Sequence, residues 1–263
     1  MSLVFSAISP HPPIIIPSIG KEHLENITKT KEALASLERD LYAAKPDILI
    51  IISPHGHTNA DHFTINLSDN FEINFEDFGD FSTKIPVKGD ILLMTNDKER
   101  ISSKSPINII SETKLDHGIG IPFYCLGQNI QNIKIIPIYF SLLDNQSHLD
   151  FGKILKEVIF STDKRIAVIA SADLSHCLTE NAPAKFNPAG KEFDEGLIKL
   201  LQAGDSQGIV NMDTKTIGNA AECGLRSILI LLGILNNINY ETKILSYEAP
   251  FGVGYLTANL ELK

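Results

Sequence analysis

Two short apolar runs, L-V-F-S-A-I-S at residues 3–9 and D-I-L-I-I-I-S at 47–53, bracket a stretch with helical periodicity. Neither run alternates with polar residues, so each suits a strand buried on both faces. Between them Leu24, Ile27, Leu34, Leu37 and Leu41 fall on one stripe of a helix over about 21–44, and Lys and Glu fill the rest. Strand, helix, strand is a βαβ unit, which implies parallel strands and a right-handed crossover. The pattern continues with strands expected at 133–140 and 165–171 and a helix at about 147–160 between them. Helices are expected at about 188–203 and 221–236, with a closing strand pair near 243–248 and 254–262. Residues 63–67 and 71–76 alternate like a half-exposed hairpin, and 77–90 reads as a loop. The fold class is therefore α/β, with helices on both faces of a mostly parallel sheet. With no repeat and no low-complexity linker, residues 1–263 read as one domain.

Bulk composition narrows the function classes. Hydrophobic residues are 43% and charged residues 21%, as in ordinary soluble globular chains. A formal net charge of −9 argues against nucleic acid or an anionic membrane as partner, since both demand dense Lys and Arg. The longest apolar run, Ile228 to Leu235, is far short of a membrane span. The N-terminus lacks a basic segment followed by a long apolar one, so no secretory leader is expected. The three cysteines form no C-x-x-C pair, which points to a reducing, cytoplasmic location.

One short motif occurs twice. I-S-P-H at 8–11 returns as I-S-P-H at 52–55, each time where an apolar strand ends. Proline restricts itself and the residue before it, so His11, walled by Pro10, Pro12 and Pro13, sits on stiff extended backbone. A third strand ends at Ser171, and A-D-L-S-H places His176 just beyond it. In open α/β sheets ligands bind outside the carboxyl ends of the strands. His11 and His55 are thus candidate metal ligands, with little entropy to lose on binding. Glu222, in A-A-E-C-G-L-R at the start of an apolar helix, is the candidate anionic ligand. Two histidines and a carboxylate with open positions are the pattern of non-haem Fe(II) oxygenases.

The plainer readings are specific too. Glu222 and Arg226 have the i,i+4 spacing of a helix salt bridge. His57, in H-G-H, shares a face with His55 in extended chain, the arrangement a zinc hydrolase would use. His117, in L-D-H-G-I-G, and His176 are candidate proton shuttles, with Asp116 and Asp173 as neighbours able to orient or charge their rings. Cys223 reads as a small buried residue at a helix start, and His23, His62 and His148 read as solvated.

Together S-P-H-P-P, S-P-H-G, L-D-H-G, A-D-L-S-H, A-E-C-G-L-R-S and S-Y-E-A-P-F-G-V-G-Y resemble the class III extradiol ring-cleavage dioxygenases, LigB type. The resemblance is greatest to the branch associated with the AmmeMemoRadiSam system, which is related to Memo-like proteins, and it runs from about residue 3 to 262. It implies a single three-layer α/β/α domain holding Fe(II), or zinc or another divalent metal as isolated, through His11, His55 and Glu222. It also implies His176 as acid–base residue and His117 at the pocket wall, with a small catechol-like aromatic and O2 as substrates. In Memo-like proteins the carboxylate is replaced and ring cleavage is not the established role; a thiol there would correspond to Cys223. Fused members carry a second domain, so the partners to expect are a second copy of the chain or a separate subunit.

Overall fold

The computed structural model describes residues 2–263, and in it successive residues of the central strands enter cores on opposite faces of one sheet. The strands are β1 (Leu3–Ser9), β2 (Ile48–Ser53), β3 (Phe63–Asn66), β4 (Asn70–Phe75), β5 (Asp80–Gly89), β6 (Ile107–Ile110), β7 (Lys134–Tyr139), β8 (Ile166–Ser171), β9 (Tyr240–Glu248) and β10 (Tyr255–Leu262). The helices that position the site are α1 (Thr28–Ala44), α2 (His117–Pro122), α3 (Asn145–Ile159), α4 (Ala189–Ala203) and α5 (Leu225–Ile234). Ile48, Ile50 and Ile52 pack with α3, α4 and α5, whereas Leu49 and Ile51 pack with α1 and α2. Both faces of the sheet are covered, which is why its strands are continuously apolar. The architecture is a three-layer α/β/α sandwich.

The sheet runs β4-β5-β7-β2-β8-β1-β10-β9. From β5 to β1 neighbours are parallel, and both margins are antiparallel. β7 forks the sheet: its first residues pair with β5 and its last pair with β3, which carries β6. The order β2-β8-β1 brings the carboxyl ends of the two I-S-P-H strands to either side of the strand that leads to His176.

Four sequence expectations are corrected. β3 and β4 do not form a hairpin with each other: β3 is buried along its whole length and joins β6 and β7, while β4 pairs with β5. The stretch expected as a loop at 77–90 is largely β5, reached through a tight reversal in which Gly79 takes φ +87°. A left-handed glycine between two alternating runs is a hairpin signal, and here it is the one that decides the pairing. The helix expected from residue 21 begins as a 3-10 turn over Lys21–Ile27 before α1. His148, expected in solvent, is fully buried on α3, with Nδ1 2.7 Å from the Asp144 carbonyl and Nε2 3.0 Å from that of Ser141. No helix among the described residues is long and apolar enough to cross a membrane.

Candidate metal centre

Each I-S-P-H motif delivers its imidazole by an arrangement of serine and aspartate. The His11 backbone N–H donates to Asp173 Oδ1 at 2.9 Å, and its ring Nδ1 lies 2.8 Å from Ser171 Oγ. The His55 N–H donates to Ser53 Oγ at 3.1 Å, and that hydroxyl donates to Asp116 Oδ1 at 2.7 Å. Asp116 also caps α2 by accepting the Ile119 N–H. Both loops are therefore held by side chains from neighbouring elements as well as by their prolines. A His11 ring that donates its Nδ1–H to Ser171 keeps the Nε2 lone pair free, the usual arrangement of a metal-binding histidine.

The two Nε2 atoms face each other at 3.1 Å, and Cys223 Sγ lies 3.5 Å from His11 Nε2. His11, His55 and Cys223 form a group whose donor atoms all lie within 4.8 Å of one another. An ion with about 2.0–2.1 Å bonds to nitrogen and about 2.3 Å to sulfur, at tetrahedral angles, spans edges of roughly 3.3 and 3.6 Å. The donor chemistry fits a divalent ion, since imidazole and thiolate together suit zinc, iron and copper.

Glu222 does not enter this group. Its carboxylate Oε2 accepts the Leu225 N–H at 2.6 Å and so caps the opening of α5. Ala221 adopts a left-handed conformation (φ +52°) immediately before it, which swings the chain so that Cys223 meets His11 while Glu222 meets the helix amide. The expectation for Cys223 as mere filler is corrected by the same geometry. The Glu222–Arg226 alternative is not formed as an ion pair among the described residues.

His117 and His176 complete a cluster of four imidazoles. His117 stacks on His55 with centroids 4.3 Å apart and an interplanar angle of 26°, and meets His11 edge-on at 5.6 Å. Burial lowers the pKa of His11 well below the ordinary value, and the rings of His55, His117 and His176 lower it further. His55 falls to about 4 for the same reasons, with Asp116 opposing. Burial also lowers His117 and His176. All four are thus neutral at neutral pH, the form that binds metal or accepts a proton. The His176 Nδ1 atom is buried with no hydrogen-bond partner. Burial pushes the Cys223 thiol well up, so cation binding must displace its proton.

One side chain has a different partner from the one expected, and two others escaped the sequence reading. Asp173 serves His11 rather than His176, and burial raises its carboxyl to about 7. Asp194, fully buried on α4, accepts the Ser175 N–H and hydroxyl, both at 2.9 Å, and the Tyr247 hydroxyl at 2.6 Å. It thereby anchors the loop that carries His176; an acid within an apolar helix stripe was its only signal. Ser171 is indistinguishable from the end of an ordinary strand. His57 turns outward to Glu112, Nε2 to Oε2 2.8 Å, and stays outside the donor group, against the H-G-H hydrolase option.

Residues 6–258 match the family described as the catalytic LigB subunit of aromatic ring-opening dioxygenase. Protein CA_C1420 of Clostridium acetobutylicum is 34% identical over 274 aligned positions, covering 99% of this chain and 58% of its own length. MEMO1 family proteins of Methanococcus maripaludis and Methanosarcina mazei are 26% and 28% identical over 125 and 120 residues. Those matches cover 47% and 45% of this chain, and 40% and 42% of the relatives. The chain thus spans about half the length of these curated relatives. The crystal structure of uncharacterized protein JW3007 from Escherichia coli K12 superposes with a TM-score of 0.69 at 16% identity. That superposition covers 97% of this chain and 98% of the other, and it concerns the fold alone.

Proposed function

The chain belongs to the LigB family of catalytic subunits of aromatic ring-opening dioxygenases, and from that membership we propose a mononuclear metal enzyme that opens a small catechol-like aromatic with O2. The observation that carries the reading is the convergence of His11 Nε2, His55 Nε2 and Cys223 Sγ beside two further neutral histidines. His11, His55 and Cys223 would hold the ion, Fe(II) in this reading. When bound, the metal supplies an electron path between an aromatic diol and O2. Ser171, Asp173, Ser53 and Asp116 orient the two ligand loops. His176, kept neutral by burial, would accept a proton from a substrate hydroxyl and return it as the ring opens. His117 borders the same space and, being neutral, serves as a hydrogen-bond partner without adding charge. Both oxygen atoms would enter the product, and the ring would open beside the two hydroxyls.

Cys223 supports a second reading. A thiol in the donor group, together with similarity to MEMO1 family proteins, fits a Memo-like metalloprotein that does not cleave rings and acts with a partner. The two readings separate in one experiment: load the protein anaerobically with Fe(II), admit air over a catechol panel, and follow O2 uptake and yellow ring-opened product. Stoichiometric O2 uptake with product supports ring opening. Full iron loading with no uptake across the panel sinks it and leaves the Memo-like reading.

A further inference from the structure

The hairpin between β4 and β5 turns through E-D-F-G-D-F, residues 76–81, and its tip reaches the histidine cluster. Phe78 meets the His117 ring edge-on, with centroids 5.0 Å apart and an interplanar angle of 72°. Since His117 stacks on His55, a row of aromatic rings leads from the metal-binding group outward to a phenyl that is 37% exposed. Phe78 thus presents a partly exposed phenyl beside the His117 ring.

The tip is firmly held. Asp80 Oδ2 accepts the Ser18 hydroxyl at 2.7 Å and the Thr83 hydroxyl at 2.6 Å. Its Oδ1 accepts the Ser82 and Thr83 N–H groups at 2.9 and 3.1 Å. These bonds hold the Asp80 carboxyl well below the usual carboxylate range. Ser18 lies in the segment that follows the His11 turn, so the hairpin is tied to the stretch that delivers a metal ligand. Gly79 makes the reversal, and the space beside it is open.

We propose that Phe78 is a specificity-determining residue: with His117 it borders a slot that takes the planar ring of the substrate beside His11, His55 and Cys223. The proposal rests on the aromatic-substrate reading above and deepens it by assigning ring selection to one side chain of the β4–β5 hairpin. A flat π face offers edge-to-face or offset contact to Phe78 and His117, which a saturated ring of equal size lacks.

The test uses the metal-loaded protein without O2, so that binding is read without turnover. Titrate 4-nitrocatechol and trans-1,2-cyclohexanediol into the wild type, Phe78→Leu, Phe78→Ala and Phe78→Tyr by calorimetry, with metal content measured on each. The expected wild type prefers the aromatic diol. Phe78→Leu and Phe78→Ala weaken 4-nitrocatechol binding by about three- to tenfold, the range an aromatic pair contributes, and Phe78→Tyr retains it. Affinity for the saturated diol and metal content stay within twofold. A wild type without the preference, or a Phe78→Leu protein that keeps it, overturns the slot. Admitting air then separates the two ideas. Phe78-dependent binding without O2 uptake sinks ring opening and keeps the slot, whereas turnover with an unchanged preference in Phe78→Leu does the reverse.

Discussion

Cys223 and Glu222 are neighbours in the chain but face different partners, and the difference is a matter of one backbone reversal at Ala221. A carboxylate at the opening of an apolar helix is stabilised by the N–H groups it caps, and Glu222 takes that role. The thiol that follows is left facing His11. Metal analysis of purified variants checks the assignment: Cys223→Ala, His11→Ala and His55→Ala should each lose most of the bound metal, while Glu222→Gln retains it. Glu222→Ala should cost about 0.5–2 kcal/mol of stability as a lost cap, read by urea unfolding of the metal-free protein. Metal retained in Cys223→Ala but lost in Glu222→Gln would restore the carboxylate as third ligand.

At the scale of elements, the position of Cys223 depends on how α5 sits against α3. The two helices touch backbone to backbone at Gly152 and Gly233: a Cβ on Gly152 would overlap the Ile230 carbonyl oxygen, and one on Gly233 that of Leu149. No flexible side chain can move aside there, so a single added methyl must push the helices apart. Gly152→Ala should therefore destabilise the fold by about 1–3 kcal/mol, the usual cost of overpacking. For a domain of this size that lowers the thermal midpoint by about 2–4 °C per kcal/mol. A calorimetric midpoint within a degree of the wild type would contradict the close approach. Elements also account for the one pairing misjudged from sequence. Alternation marks β3 and β4 as strands, but it does not say which strand each meets, and the fork at β7 takes β3 away.

For the whole molecule, acid stability follows from histidines kept neutral by burial. His148 lies far from solvent, and burial holds its pKa down at about 4 against an ordinary value near 6.5. The unfolded chain therefore binds a proton that the folded one refuses, so stability is lost as pH falls through 6.5 toward 4. His148 alone should cost about 2 kcal/mol between pH 7 and pH 5. Urea unfolding of the metal-free protein at those two pH values should show the loss shrink in His148→Gln; an equal loss in both proteins would refute it. Asp173, raised to about 7, acts with the opposite sign, its contribution fading as pH rises toward 7. The wild-type slope sums these groups, and the variant isolates His148. The periodicity of the chain by itself determined the layers, the parallel centre of the sheet and the edge where His11, His55 and His176 emerge, because burial on both faces and strand-end position are local properties written in short windows. Tertiary structure alone decided that Cys223 rather than Glu222 joins the two histidines, that Asp173 serves His11, and that Phe78 reaches His117. Those are contacts between segments as far as 212 residues apart, set by backbone turns and packing that no local pattern encodes.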